Sequence, residues 1–107
     1  MERIVTVVVD RPLGSRHPEY PELIYPVNYG FIPGFMAPDG EEQDAYILGV
    51  DEPLETFTGR LVAVIHRLDD VEDKWVVAPE GTALTASEIM DRVRFQERYF
   101  HSSIEML

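Results

Sequence analysis

The shortness of its apolar runs is what most constrains how this chain folds. Ile4-Val-Thr-Val-Val-Val9, Ala45-Tyr-Ile-Leu-Gly-Val50, Arg60-Leu-Val-Ala-Val-Ile-His66 and Trp75-Val-Val-Ala78 are long enough for buried strands and too short for independent helices. The first is β-branched throughout and stops at Asp10-Arg-Pro-Leu-Gly-Ser15, where proline and glycine punctuate a strand. From there to about Pro26 the chain is rich in proline and charge and reads as irregular. A short extended piece around Tyr29-Gly-Phe-Ile32 is expected to end at Pro33-Gly34. Met36-Ala-Pro-Asp-Gly40 is a turn by its chemistry, since Pro38 presets φ while Asp39 and Gly40 tolerate the reversal. The acidic segment Asp69-Asp-Val-Glu-Asp73 separates the last two runs at hairpin spacing.

The period then changes. Thr85-Ala-Ser-Glu88 has the spacing of a capping box, in which threonine and glutamate side chains satisfy each other's free backbone N–H groups. Behind it Ile89, Val93, Phe100, Ile104 and Leu107 fall near one face at helical spacing, so an amphipathic C-terminal helix carrying all five is expected. Short strands followed by one helix place the chain in the mainly β class, as a small OB-like β-barrel with a C-terminal α-helix in one domain, residues 1–107.

Charge narrows the function. With 20 acidic against 9 basic side chains the net charge is −11, which repels a phosphate backbone and argues against a nucleic-acid partner. No run approaches the ~20 apolar residues that cross a bilayer, so no membrane partner is expected. The N-terminus has no basic stretch leading into a long apolar run and does not read as a signal peptide. With no cysteine, disulfides and thiolate metal sites are excluded and a cytoplasmic location is expected. His17, His66 and His101 are scattered, with no second ligand at zinc spacing, and read as satisfied or surface histidines.

Two acidic loops remain, Asp39-Gly-Glu-Glu-Gln-Asp44 and Asp69-Asp-Val-Glu-Asp-Lys74, each joining strand to strand. Mg²⁺ takes oxygen ligands in a tight octahedron and keeps several waters, so it is held by a few carboxylates while phosphate oxygens complete its shell. Two such loops at one end of a barrel suit a two-metal site. Acid-rich turns are also ordinary solvated hairpins, and composition does not choose between the two.

Three segments in one order are more specific. Tyr25-Pro-Val-Asn-Tyr-Gly-Phe-Ile-Pro33, Asp39-Gly-Glu-Glu-Gln-Asp44 and Lys74-Trp-Val-Val-Ala-Pro79 together resemble the signature of the soluble family I inorganic pyrophosphatases. Asp10-Arg-Pro-Leu-Gly-Ser15 and Phe95-Gln-Glu-Arg-Tyr99 add fainter matches at the two ends. The resemblance implies Mg²⁺, or Mn²⁺, bound by Asp39, Asp44 and Asp69, with Glu72 at another acidic metal position. Glu41 takes the place of the aspartate that ligates metal and orients or deprotonates the attacking water, and Asp10 that of an early glutamate with a catalytic role. Tyr29, Lys74 and Tyr99 are implied to face pyrophosphate or another small phosphorylated ligand. Lys74, the single lysine against eight arginines, stands where the family has one, and a compact ammonium is a natural phosphate partner.

The chain also departs from the pattern. It is short, and between Ser15 and Tyr25 it lacks the hairpin that carries an arginine to the family's site, which leaves Arg16 as the replacement. Leu13 and Phe100 stand where the family has lysines, and Glu41 and Glu72 are one methylene longer than the family's aspartates. The expected function is Mg²⁺-dependent hydrolysis of pyrophosphate or a related phosphoanhydride, weakened by the lost basic groups. The alternative is a catalytically inactive descendant that binds metal or phosphate as a regulatory module. Assembly into a homo-oligomer is compatible with either.

Overall fold

The β-branched run from Ile4 opens a strand, β1 (Ile4–Arg11), which pairs antiparallel with β2 (Asn28–Met36) on one edge and β4 (Thr56–Arg67) on the other. The computed structural model describes residues 3–69 and 72–107; Met1, Glu2 and, from the second acidic loop, Asp70 and Val71 lie outside the described residues. β3 (Glu42–Ile47) continues from β2 and meets β5 (Asp73–Ala78) in a parallel pairing, and β5 runs antiparallel to β4. The order β1-β2-β3-β5-β4 therefore returns to β1 and closes a five-stranded barrel, in which no barrel strand is left with a bare edge along its whole length. The mainly β, OB-like architecture with a helix after the barrel is the one the apolar runs imply. Among the described residues no helix is long and apolar enough to cross a membrane.

Strand periodicity sorts the side chains onto two buried faces. Val5, Val7, Ile32, Ala45, Ile47 and Val77 pack on one. Tyr29, Tyr46, Leu48, Ile65 and Val76 pack on the other, where Ile89 and Val93 of helix α1 (Ala86–Glu97) cover them. Gly30 is required where β1 and β2 approach, because a Cβ there would lie 1.9 Å from the Val8 carbonyl oxygen. Asn28, fully buried, ties two loops to the barrel: its Oδ1 accepts from Leu13 N at 2.9 Å and Leu54 N at 3.0 Å, and its Nδ2 donates to Glu52 O at 2.9 Å.

The capping box forms as spaced, with Glu88 N donating to Thr85 Oγ1 at 3.1 Å and Thr85 N to Glu88 Oε1 at 3.0 Å. The helix is shorter than its apolar spacing implied, and this corrects the sequence reading. It ends at Glu97; Phe100 follows in a turn, and Ile104 lies on a further strand, β6 (Ser102–Met106), with Leu107 beyond it. β4 is 12 residues long and pairs with β1 only up to Arg60, so its far half has an open edge. β6 fills that edge, with Ile104 opposite Ile65, and the backbone hydrogen bonds gained there outweigh local helical periodicity. A second correction concerns Pro33-Gly34. The strand runs through them to Met36 by a register shift, with Gly34 at φ 86°.

On the outer surface His66 of β4 bridges its two neighbouring strands. Its Nδ1 lies 3.1 Å from Asp73 Oδ2 and its Nε2 2.8 Å from Glu105 Oε1. Only the imidazolium donates to both, and the Glu105 hydrogen bond, with Asp73 adding to it, raises the pKa above its ordinary value. A raised histidine pKa contributes stability that is complete below the unfolded value near ~6.5 and is lost as pH rises through the folded value. The melting temperature of the wild type minus that of His66→Gln should therefore fall between about pH 6 and pH 8; a difference that does not change with pH would contradict the bridge.

Candidate active site

Three strands point their functional side chains to the helix-covered face by the same alternation that builds the core. Asp44 precedes Tyr46 by two on β3, Lys74 precedes Val76 by two on β5, and Arg67 follows Ile65 by two on β4. Arg11 joins them through a bulge. Val9 pairs with Gly30 but Arg11 with Tyr29, so Asp10 is the extra residue and Arg11 turns to the face of Tyr29, away from that of Val5 and Val7. Its guanidinium lies 5.6 Å from the Tyr29 ring centroid and 5.7 Å from that of Tyr25.

These side chains open onto a cavity of about 660 Å³, bounded by the strands, the end of α1 and the loop before β2. On its floor Lys74, only 3 % exposed, donates from Nζ to Asp44 Oδ2 at 2.6 Å and Glu72 Oε2 at 2.8 Å. Burial works against its charge, but the hydrogen-bonded carboxylates of Asp44 and Glu72 outweigh burial and hold its pKa above the ordinary lysine value. Tyr29, in hydrogen-bond contact with Lys74 and Asp44, has its own pKa pushed up by burial and keeps its proton.

Behind the floor runs a chain of hydrogen bonds whose donors all point one way. Arg11 Nη1 donates to Tyr25 OH at 2.6 Å, Tyr25 OH to Gln96 Oε1 at 2.9 Å, Gln96 Nε2 to Tyr46 OH at 2.7 Å and Tyr46 OH to Glu97 Oε2 at 2.6 Å. Glu97 also receives Arg67 through Nε at 3.0 Å and Nη2 at 2.7 Å, and Ser102 Oγ at 2.8 Å. Burial disfavours the Glu97 carboxylate, yet Arg67 and Tyr46 overcome it and the pKa lies below the ordinary value. Arg67 Nη1 is 3.7 Å from Glu72 Oε2, which links the chain to Lys74.

Of the residues expected at the site, Tyr29, Asp44, Glu72, Lys74 and Tyr99 line the cavity. The carboxyl groups of Asp39 and Glu72 meet, and the Asp39 pKa is lowered first by the Glu41 backbone N–H and then by Glu72. Asp10 lies at the bulge, beside Arg11 and within the field of Asp44. Glu41 is exposed in the turn, where its N–H donates to Asp39 Oδ1 at 3.0 Å. Asp69 accepts His101 N at 3.1 Å at the far end of β4, and Arg16 donates to Pro21 O at 2.8 Å outside the cavity lining. Sequence reading missed Arg11, Arg67 and Arg98, which line the cavity, and Glu97 behind it. Glu97 had a signal, as an acid falling on the Ile89–Val93 stripe; Arg11 had none, because only the bulge turns it inward.

Among the described residues no three Asp, Glu or His side chains form a group that could hold a metal by themselves. What the floor offers is the Asp39–Glu72 contact and Asp44 across Lys74, all of them oxygen donors. That set fits Mg²⁺ or Mn²⁺, hard ions that bind through one or two carboxylates and leave the remaining positions to water and phosphate.

Residues 6–100 match the family model of inorganic pyrophosphatase. An inorganic pyrophosphatase from Neisseria meningitidis serogroup A / serotype 4A is 33 % identical over 96 residues, covering 71 % of this chain and 54 % of the relative. The chain thus spans about half the length of the sequence relatives it matches. Crystal structures of inorganic pyrophosphatases from Ehrlichia chaffeensis (TM-score 0.74, 18 % identity, 97 % of this chain and 86 % of that one) and Neisseria gonorrhoeae (TM-score 0.69, 24 % identity, 90 % and 73 %) share the fold.

The buried carboxylate behind the cavity gives a direct test of how the site is held. Glu97→Ala leaves the Arg67 guanidinium without its bidentate partner and should cost about 3–5 kcal/mol in chemical denaturation. A loss below about 1 kcal/mol, the scale of an exposed ion pair, would contradict this role.

Proposed function

The chain belongs to the inorganic pyrophosphatase family, and we propose that it hydrolyses pyrophosphate or a related phosphoanhydride with Mg²⁺ as its cofactor. The observation that carries this reading is Lys74, a buried ammonium shared by Asp44 and Glu72 on the floor of a cavity that Arg11, Arg67 and Arg98 also line. Such a floor can exchange a carboxylate for a phosphate oxygen around a fixed positive charge, as charge-assisted hydrogen bonding requires. Tyr29 stays protonated and serves as a neutral donor to the same oxygens. Arg67 is already bound by Glu97, so its part is to hold Glu72 and the floor, while Arg11 meets the outer phosphate.

Asp39, Asp44 and Glu72 are the proposed cation contacts, with water and phosphate completing the shell, and Tyr99 a further substrate contact; Asp69, held by His101 N, and Arg16, held by Pro21 O, are left without a role at the floor. When bound, Mg²⁺ supplies charge neutralisation on the phosphates and a lowered pKa for attacking water. Glu41 orients that water and takes its proton, and Asp10 supports the same carboxylate cluster from the bulge. The water oxygen bonds to phosphorus as the bridging P–O bond breaks, and the departing phosphate leaves with the electron pair. Phe100, where the family has a lysine, packs its ring 3.8 Å from the Arg67 guanidinium and so helps to hold that side chain in place.

Lys74→Met separates a phosphate ligand from a mere counter-ion. Without metal the variant should melt lower, because Asp44 and Glu72 lose their shared cation, and Mg²⁺ should raise its melting temperature more than it raises that of the wild type. Under saturating Mg²⁺, calorimetric titration with methylenediphosphonate, a non-hydrolysable pyrophosphate analogue, should show binding weakened by about 1.5–3 kcal/mol. Unchanged affinity for the analogue in the variant would overturn the reading.

A further inference from the structure

The cavity is larger and more aromatic than a bare phosphoanhydride requires. At about 660 Å³ it falls among pockets that bury whole organic ligands. Besides the charged groups around Lys74, its lining includes Tyr20, Leu23, Tyr99 and Phe100, with Arg98 next to Tyr99. Tyr20 is 57 % exposed and Tyr99 64 % exposed, so both rings have surface left for a ligand.

This rim is built, although the segment that carries Tyr20 contains no strand. The loop folds back on itself: Tyr25 N donates to Ser15 O, His17 N to Leu23 O and Leu23 N to Tyr20 O, all within 2.9 Å. His17 Nδ1 accepts from Glu19 N at 3.0 Å and Tyr20 N at 3.3 Å, which leaves the ring proton on Nε2. The His17 ring lies 5.0 Å from that of Tyr20 and 6.3 Å, stacked, from that of Tyr25. Tyr20 is thereby fixed to the barrel through two ring contacts. Across the rim Arg98 Nη2 donates to Tyr99 OH at 3.0 Å with its guanidinium 5.1 Å from the ring centroid, a flat cationic–aromatic plate.

We propose that the cavity takes a nucleoside polyphosphate, with the phosphate chain on the Lys74 floor and the base stacked on the Tyr20 and Tyr99 rim. This rests on the phosphoanhydride reading of the floor. A base suits the rim better than an alkyl chain does, because the rim is open to water and its rings carry polar tips, while every base has a flat face to stack. Glu22, also on the cavity wall, offers an acceptor for ribose hydroxyls or an exocyclic amine. With a nucleoside diphosphate, water's oxygen bonds to the terminal phosphorus and the bridging P–O bond breaks with its electrons on the departing nucleoside monophosphate. One proton of the water passes through a carboxylate to solvent, and inorganic phosphate is the second product. The acidity that repels a nucleic-acid chain does not oppose a single nucleotide seated against four basic side chains.

Calorimetric titration under saturating Mg²⁺ with the non-hydrolysable methylene-bridged analogues of adenosine diphosphate, methyl diphosphate, geranyl diphosphate and pyrophosphate tests this, each named below by its parent compound. Adenosine diphosphate should bind about tenfold tighter than methyl diphosphate, which carries the same phosphates without a base. It should also bind tighter than geranyl diphosphate. Tyr20→Ala, at a largely exposed position outside the phosphate contacts, should remove most of that advantage and leave pyrophosphate affinity unchanged, and Tyr99→Ala should also remove most of the advantage. Equal affinity for adenosine and methyl diphosphate, geranyl diphosphate binding as tightly as adenosine diphosphate, or no loss in either tyrosine variant would overturn the proposal. Pyrophosphate affinity and its loss in Lys74→Met report on the floor alone, so the rim can fail while the floor stands.

Discussion

The bidentate pair between Arg67 and Glu97 is the contact on which the arrangement of the site depends. Both side chains are almost completely withdrawn from water, and a buried ion pair offsets its desolvation only when its remaining hydrogen-bonding capacity is met. Here it is met, because Glu97 also receives Tyr46 and Ser102. The pair fixes the last turn of α1 to the end of β4. Gln96, Arg98, Tyr99 and Phe100 leave the helix from that point and form one wall of the cavity. Through Glu72, which lies near Arg67 and accepts from Lys74, the same contact orients the floor. Helix placement and site electrostatics are one structural problem in this chain, solved by one carboxylate.

Much of the fold was legible from local pattern. Turn chemistry bracketed most of the strands, though not β2, which runs through Pro33-Gly34, and Thr85 and Glu88 gave the helix start, because these signals act over a few residues. The helix end was not legible. Ile104 keeps helical spacing with Val93, yet pairs across a sheet with Ile65, since the free edge of β4 exists only once the barrel has closed. The site shows the same division. Tyr29, Asp44 and Lys74 stood in ordered motifs and Glu72 in the acidic loop before Lys74, and the four meet at the floor. Arg11 depended on a bulge, and Arg67 on a strand reaching two residues past Ile65, neither of which leaves a mark in composition.

Net charge proved a poor guide to the site's own field. The chain carries −11 overall, yet Arg11, Arg67, Arg98 and Lys74, four of its nine basic side chains, line one cavity. A local potential is set by the groups that face the ligand and by the low-dielectric walls around them, so an acidic protein can hold a strongly anion-binding pocket. The acids are placed to match. Asp44 and Glu72 neutralise Lys74 directly, whereas Asp39 meets Glu72 acid to acid, a contact that a cation, not a phosphate, would relieve.

The central claim is that this half-length member of the family keeps a working phosphoanhydride site, and release of inorganic phosphate from pyrophosphate tests it most directly. With Mg²⁺ present, the account predicts phosphate release that is abolished by chelating the metal and restored by adding it back, at a rate below that expected of a site with its full set of lysines. No release above the uncatalysed background at saturating pyrophosphate and Mg²⁺, or release that chelation leaves unchanged, would contradict it.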